Sequence, residues 1–379
     1  MRRKRILVDT FHLHHAATGI RTYTLEYCNG IDQYKDTLMN DYFFVPQLEK
    51  IASSKLFHGR MNIFKKLLHH VSYFLWKQLI LPLHAIRLRA DYVVITDFVA
   101  PVWKPGFHVF TVFHDVFFWE LKEHYQPIWR KYYTIMAELG VRKKAAIVAT
   151  SNYTKRKIER WVNTSAPIQV IYQTYKQKDE SGFSDDDFLQ QFHIQSGQYF
   201  LHVGYFDKRK NIPLLINAFA VFLKKTDRND IKLVLVGGRA ASQYLDDYAL
   251  IVEQIEANGL SQKVVMTGFL TDGQLQSAYR NARALVFPSY DEGFGIPVLE
   301  AFSNEIPVIV SNRGATAEIG GEAVLIAQWD DPNDFAVKMN DILDITTQDN
   351  LIQSGKERLK MFSLASFVKS WDKIILDEK

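Results

Sequence analysis

The sequence predicts an α/β protein of two successive doubly wound units, each a parallel sheet with helices on both faces. Three observations carry this expectation. Short β-rich runs alternate with helical-length amphipathic segments along the 379 residues. The runs are apolar at nearly every position, as strands buried on both faces of a parallel sheet must be. Charge also divides the chain: residues 1–175 carry a net +12 and residues 176–379 a net −8, hidden within a formal +4.

The strands expected in the second half are Tyr199–Val203, Ile231–Val236, Val264–Thr267, Ala284–Phe287, Pro307–Val310 and Ala323–Ile326. Helical segments fill the gaps at Pro213–Lys225, Gln243–Asn258, Gly273–Asn281, Pro297–Ser303 and Asp334–Leu343. Repeated βα units of this kind imply a parallel sheet. The first half follows the same grammar, with strands at Arg5–Asp9, Tyr42–Val45, Tyr92–Thr96, His108–Phe113, Ala146–Thr150 and Gln169–Tyr172. The polar stretch 174–183 marks the boundary, giving units 1–175 and 176–361. A last helix, Ser366–Leu376 within residues 362–379, has no partner that its pattern alone identifies.

Composition excludes several classes. With 47% hydrophobic and 23% charged residues, the chain is neither disordered nor fibrous. Cys28 is the one cysteine, so neither an intrachain disulfide nor a cysteine zinc site exists. Arg2–Arg5 are basic, but the apolar run behind them stops at Asp9, short of an export signal. No uncharged apolar window of about 18 residues occurs, so no spanning helix is expected and the cytoplasm is the expected compartment. There is no Walker loop and no Gly-x-Ser-x-Gly elbow. Gly293-Phe294-Gly295 lacks the third glycine of a dinucleotide fingerprint. No nucleic-acid partner is expected. From Lys50 to Ala90 there is no acidic residue, but eight Lys or Arg and four His. Residues 64–76 there place apolar side chains at helical spacing between basic ones. This suits a helix lying on an anionic membrane, or an amphipathic helix on the sheet with a solvated basic face.

The loops after the strands are where such folds bind ligands. After Phe287 runs a glycine-bearing turn with Glu292, Gly295, Pro297 and Glu300. Pro297 suits the first position of a helix, whose free N–H groups and dipole attract phosphate. Glu300 then falls in the first turn, where it either receives a ribose diol or answers the dipole. Glu292 is placed to face the same cleft. After Val203 the loop brings Lys208, Arg209 and Lys210, cations suited to phosphate oxygens or to plain solvation. His12, His14 and His15 crowd the loop after the first strand; without a third clear ligand they read as a polar cleft loop rather than a metal site.

The segment from Asp291 to Ala301, with seven residues between Glu292 and Glu300, resembles the Glu-x7-Glu motif of the retaining glycosyltransferases of family 4. Lys208 to Asn211 is similar to that family's Arg-Lys-Asn donor-phosphate motif. The resemblance extends through Val234–Gly238, Thr267–Phe269 and Pro307–Ser311. In the first half it includes the turn Thr18–Tyr23, Trp76–Pro82 and Phe113–Asp115.

What this resemblance implies is a GT-B fold, two facing Rossmann-like domains with a C-terminal helix crossing back to the first. The activity implied is transfer of a hexose, with mannose from GDP-mannose as the donor guess, from a nucleotide diphosphate sugar to a glycan or lipid-linked acceptor in surface polysaccharide synthesis. Arg209 and Lys210 would neutralise the leaving diphosphate. Glu300 would hold the ribose, Glu292 the donor sugar and His114 the transferred hexose. Gly19, Gly238, Phe269, Phe294, Gly295 and Ile296 complete the implied donor site. The donor, GDP- or UDP-linked, is substrate, and no resident cofactor and no metal is implied; peripheral contact with the inner face of the cytoplasmic membrane is the expectation that the basic stretch Lys50–Ala90 adds in its membrane reading. Three positions depart from the family pattern. Glu305 stands at a usual glycine, Tyr205 at an arginine of some members, and Gln173–Tyr175 in place of an Asn-Gly turn. An epimerase or phosphorylase on the same fold, or a non-catalytic nucleotide-sugar binding subunit, are the alternatives.

Overall fold

Twelve apolar runs pair as strands in the computed structural model, which describes residues 2–14, 19–49, 63–176, 183–240 and 244–377, the backbone alone for 63–66. The chain divides into two compact units, Met1–Tyr175 with Phe362–Lys379, and Lys176–Met361.

In the first unit the strands are β1 (Arg5–Asp9), β2 (Asp41–Val45), β3 (Tyr92–Ile95), β4 (His108–Phe113), β5 (Ala145–Ala149) and β6 (Ile168–Val170). All pair in parallel, in the order β2-β1-β3-β4-β5-β6. Alternate residues leave on opposite faces. Ile6, Val8, Val94, Phe110 and Val112 enter one core, whereas Leu7, Val93, Ile95 and Val109 enter another. Both faces are therefore covered, which is why the runs show no polar alternation.

The helix Leu364–Asp377 belongs to this unit. Its Phe367, Trp371 and Ile375 join Tyr23 and Tyr27 of the helix α1 (Gly19–Tyr34) on the first face. Trp371 Nε1 donates to Tyr23 Oη at 3.0 Å. The buried carboxylate of Asp372 accepts from Met39 N–H and Asn40 Nδ2, both at 2.7 Å, and from Tyr42 O–H at 2.9 Å. The last helix thus supplies a wall that residues 1–175 lack.

The second unit carries β7 (Tyr199–Val203), β8 (Lys232–Val236), β9 (Val264–Gly268), β10 (Ala284–Phe287), β11 (Val308–Ser311) and β12 (Leu325–Ala327), again all parallel, in the order β12-β11-β10-β7-β8-β9. Two expected elements start two or more residues later than placed. The strand placed at Ala323–Ile326 begins only at Leu325, because Gly321 turns with φ +58° and Gly321–Ala323 form a 3-10 turn. The helix placed at Gln243–Asn258 begins at Tyr248. Two further helices, Asp185–Gln191 and Ile345–Leu359, bury few side chains and so leave little apolar pattern to read. Their starts are fixed by Ser184 and Asp344, whose side chains accept from N–H groups of the first turn.

Candidate functional site

In a doubly wound sheet the crevice opens where strand order reverses, between strands whose connections leave in opposite directions. In the second unit that point lies between the neighbours β7 and β10. The loops leaving these two strands carry the two segments singled out in the sequence.

The loop after β7 is built on Asp207. Its carboxylate accepts from Arg209 N–H at 2.8 Å and pairs with Arg209 Nη2 at 2.6 Å. This caps a 3-10 turn, Lys208–Lys210, which Asn211 ends in the left-handed conformation at φ +55°. The loop after β10 runs alongside it, and Tyr290 N–H donates to Arg209 C=O at 2.9 Å. Lys210 Nζ then reaches Glu292 Oε1 at 2.6 Å and lies 4.7 Å from the centre of the Phe287 ring. Each side chain of this pair is 14% exposed, so the charges are sheltered yet reachable. Glu292 is held from behind: its C=O accepts from Ala315 N–H at 2.9 Å, and a Cβ on Gly314, whose φ is +77°, would meet Glu292 N at 2.8 Å.

Gly295 caps the helix Ile296–Ser303 at φ +104°, a conformation glycine adopts without strain. The helix begins at Ile296, so Pro297 occupies its second position rather than the first. Glu300 consequently falls beyond the first turn, and the expectation of a first-turn carboxylate facing the dipole is corrected. Its carboxyl instead accepts from Tyr279 O–H at 2.8 Å and lines a small recess with Lys176, Asp272, Ser303 and Asn304. Burial pushes the Glu300 carboxyl above its ordinary pKa, against the pull of the Tyr279 hydroxyl.

The structure thus joins Arg209, Lys210 and Glu292 and sets Glu300 apart with Tyr279, a partner the sequence did not mark. Phe294 is buried in the turn between them, and Ile296 opens the helix. Gly238 sits where a Cβ would come within 2.9 Å of Phe269 Cε2. Phe269 is 68% exposed, with its ring edge-on to Tyr205 at 5.3 Å between centroids. Tyr205, one of the departures, is therefore an aromatic neighbour of a predicted donor residue. Glu305, at the position where the family pattern has glycine, adopts a left-handed backbone with φ +60° and reaches Lys356 at 2.9 Å.

Gly19 and His114 lie on the first unit. Gly19 opens α1, and the preceding Thr18 and His15 fall outside the described residues. His114 follows β4 directly; its Nε2 lies 2.9 Å from Thr96 C=O and Tyr23 meets its ring edge-on at 4.8 Å. Burial pushes the His114 imidazole down to about 4. Nearby is a network the sequence did not reveal. Lys77 Nζ bridges Asp9 at 2.7 Å and Asp97 at 2.8 Å, and its side chain is 1% exposed. Burial works against the ammonium, but the two carboxylates hold its pKa above the usual lysine value. Asp9 closes a strand and Asp97 follows one, a placement that offered the only clue. His12 joins Asp97 at 3.4 Å. Among the described residues no group of three His, Cys, Asp or Glu is arranged to hold a metal ion.

Residues 184–358 match the family model described as glycosyl transferases group 1. The chain is 27% identical over 352 residues to O-antigen chain mannosyltransferase B of Escherichia coli, covering 87% of each. It is also 27% identical over 257 residues to the O-antigen chain mannosyltransferase RfbU of Salmonella typhimurium, covering 66% of this chain and 67% of that one. Among solved structures, sucrose-phosphate synthase from Thermosynechococcus elongatus aligns with a TM-score of 0.71 at 18% identity, covering 99% of both chains. That likeness shows the two-domain Rossmann-like fold.

Proposed function

We propose, from the premise that this chain is a glycosyltransferase whose residues 184–358 form a group 1 domain, that it moves a hexose from a nucleotide diphosphate sugar to a glycan or lipid-linked acceptor with retention. The observation that carries the donor side is the Lys210–Glu292 pair across the β7/β10 reversal, with Arg209 beside it on Asp207. A diphosphate entering there meets two cations held by carboxylates that it can replace as partners. As the sugar–phosphate bond breaks, charge grows on the diphosphate, and fixed cations stabilise that charge most. No side chain need form a covalent bond to the sugar, and no metal is needed for charge that Arg209 and Lys210 neutralise. The relatives' names favour mannose as the sugar and surface polysaccharide as the product.

The acceptor side adds a membrane. The helix α2 (Ile63–Leu75) continues through a π-helical stretch, Trp76–Ile80, into the helix α3 (Leu81–Arg87). Its inward side buries Tyr73, Trp76 and Lys77, with Trp76 in the core shared with Leu7, Val93, Ile95 and Val109 of the first sheet. Its outward side leaves Leu68, Val71, Leu75, Leu79, Leu83 and Ile86 exposed, a single stripe about five turns long. Trp103 and Ile128, the latter 73% exposed, add apolar surface in the same unit. An apolar stripe inside a stretch with no acidic residue fits an anionic bilayer. Among the described residues no helix is long and apolar enough to cross one.

A thermal-shift panel of GDP, UDP, ADP and TDP with their sugars identifies the donor, since stabilisation grows with ligand concentration over Kd. Incubation with that donor should release nucleotide diphosphate and form a glycosylated product of unchanged anomeric configuration. Free epimerised nucleotide sugar instead would refute transfer. Co-sedimentation with phosphatidylglycerol vesicles should exceed that with phosphatidylcholine, and Leu68→Glu with Leu79→Glu should abolish it. Equal binding to both lipids would return the stripe to another role.

A further inference from the structure

We infer that His12 accepts a hydrogen bond from a hydroxyl of the sugar acceptor, an inference that rests on the transfer reading above and names a residue of its acceptor side. The first sheet reverses its order between β1 and β3, so its ligand crevice lies there. Asp9 ends β1, and Asp97 stands two residues past β3. Both are locked. Trp76 Nε1 donates to Asp9 at 2.9 Å, Tyr73 O–H donates to Asp97 at 2.9 Å, and Lys77 bridges the two carboxylates. Every one of these groups is satisfied within the network.

His12 is the exception. It sits in the 3-10 turn Phe11–His14, just past β1, with Nδ1 3.4 Å from Asp97 Oδ2. The Asp97 carboxylate at that distance can only accept and favours the imidazole proton on Nδ1, which leaves a lone pair on Nε2. That Nε2 is buried and bonds to no protein group. Buried polar atoms without a partner are few in native proteins, and each calls for a reason. Burial also lowers the His12 pKa, with Asp97 opposing and Lys77 assisting, which keeps the ring neutral and its lone pair open.

The chemistry of the surroundings selects the ligand. Two carboxylates against one ammonium leave the network net negative, which repels an anion. A neutral imidazole nitrogen offers nothing to a second acceptor. A hydroxyl fits, because it is uncharged and donates. One strand further along, His114 repeats the arrangement: its Nε2 faces the Thr96 carbonyl, so Nε2 carries the proton and Nδ1 accepts. Phe11 stacked on Trp76 at 4.6 Å supplies an aromatic surface at the same edge. Neutral acceptors beside aromatic rings suit a polyol.

Octyl α-mannoside serves as the probe, titrated calorimetrically into the full chain, into His12→Asn and into His12→Gln. Asparagine reaches only the position of Nδ1, whereas glutamine carries a carbonyl to the position of Nε2. Binding should weaken roughly tenfold in His12→Asn and stay within about threefold of wild type in His12→Gln, as loss of one buried hydrogen bond implies. Affinity for the donor nucleotide should stay unchanged in both. In the wild-type chain the His12 Nε2 resonance should shift as the probe saturates. Wild-type affinity in His12→Asn, equal weakening in both variants, an unmoved resonance, or no binding by wild type would overturn the assignment. Absence of turnover with any nucleotide sugar would instead sink the transfer reading, leaving this binding comparison intact.

Discussion

Replacing Glu292 by glutamine should separate nucleotide binding from sugar transfer. Lys210 Nζ is held by Glu292 Oε1 at 2.6 Å, with each side chain 14% exposed. Two unit charges at that distance attract by roughly 6 kcal/mol at an effective dielectric near 20. Desolvation removes most of it, and hydrogen bonds to charged groups retain about 1.5–3 kcal/mol net. A diphosphate that takes Lys210 forfeits part of this. Glutamine keeps the shape and drops the competing charge, so GDP or UDP should bind about tenfold tighter to Glu292→Gln, the equivalent of about 1.4 kcal/mol. Transfer should fall by about two orders of magnitude or more, because the carboxylate proposed to hold the donor sugar is gone. Lys210→Met should lower both. Calorimetric titration of each nucleotide, paired with initial rates on the identified donor, reads the two effects separately. If Glu292→Gln weakens the nucleotide as much as Lys210→Met does, the pair is a structural tie between loops and the donor cradle lies elsewhere.

Three further outcomes follow from named contacts. Lys77→Met leaves Asp9 and Asp97 buried without their cation and should cost about 3–5 kcal/mol in urea unfolding; adding Asp97→Asn should recover part of that loss, and a simple sum of the two single costs would show that the groups are uncoupled. Glu305→Gly relieves a left-handed backbone worth about 1–2 kcal/mol. It gives back about 0.5–1 kcal/mol of chain entropy and an exposed Lys356 pair of little value, so the midpoint should move by less than about 1 kcal/mol. His202 is fully buried, its Nδ1 bonded to Val286 C=O at 3.0 Å, and burial lowers its pKa from 6.5 to about 4. The unfolded chain therefore takes up the proton first, so stability is intact above pH 6.5 and falls as pH drops toward 4. His202→Asn should flatten that acid limb by up to about 3 kcal/mol; an unchanged limb would mean other groups set it.

Much of the fold was legible because strands buried on both faces leave unbroken apolar runs, and the ends of several shift by only a residue. Helices such as Asp185–Gln191 and Ile345–Leu359 escaped because caps, rather than an apolar stripe, fix their starts. At the site, Lys210 and Glu292 could be named because each lies in a loop directly after a strand, although nothing in their spacing states that they touch. Tyr279 could not be named as the partner of Glu300, since that contact depends on how two helices pack. Lys77 was hidden more deeply. It lies in a stretch of basic residues that reads as surface, while its carboxylates stand 68 and 20 residues away. The same stretch showed an amphipathic helix without saying which side faces the sheet. Tyr73, Trp76 and Lys77 turn inward, so the exposed side is the apolar one and the solvated basic face alone does not describe it.

Both sheets set a lysine beside carboxylates at the place where strand order reverses, and burial decides what each lysine can do. Lys77 is 1% exposed and satisfied by two carboxylates at once. Any ligand taking it would strand a buried negative charge, at a cost of several kcal/mol. Lys77 is therefore fixed scaffolding, and the group left open at that crevice is the one the network orients without satisfying, His12 Nε2. Lys210 is 14% exposed and has one carboxylate, itself as exposed. On the proposed donor reading, a diphosphate that takes Lys210 would leave Glu292 to turn to water or to a sugar hydroxyl, with no charge stranded. On the proposed reading the first crevice would hold a neutral hydroxyl in place and the second would exchange one anion for another, the division of labour that transfer of a sugar from a diphosphate to an alcohol requires.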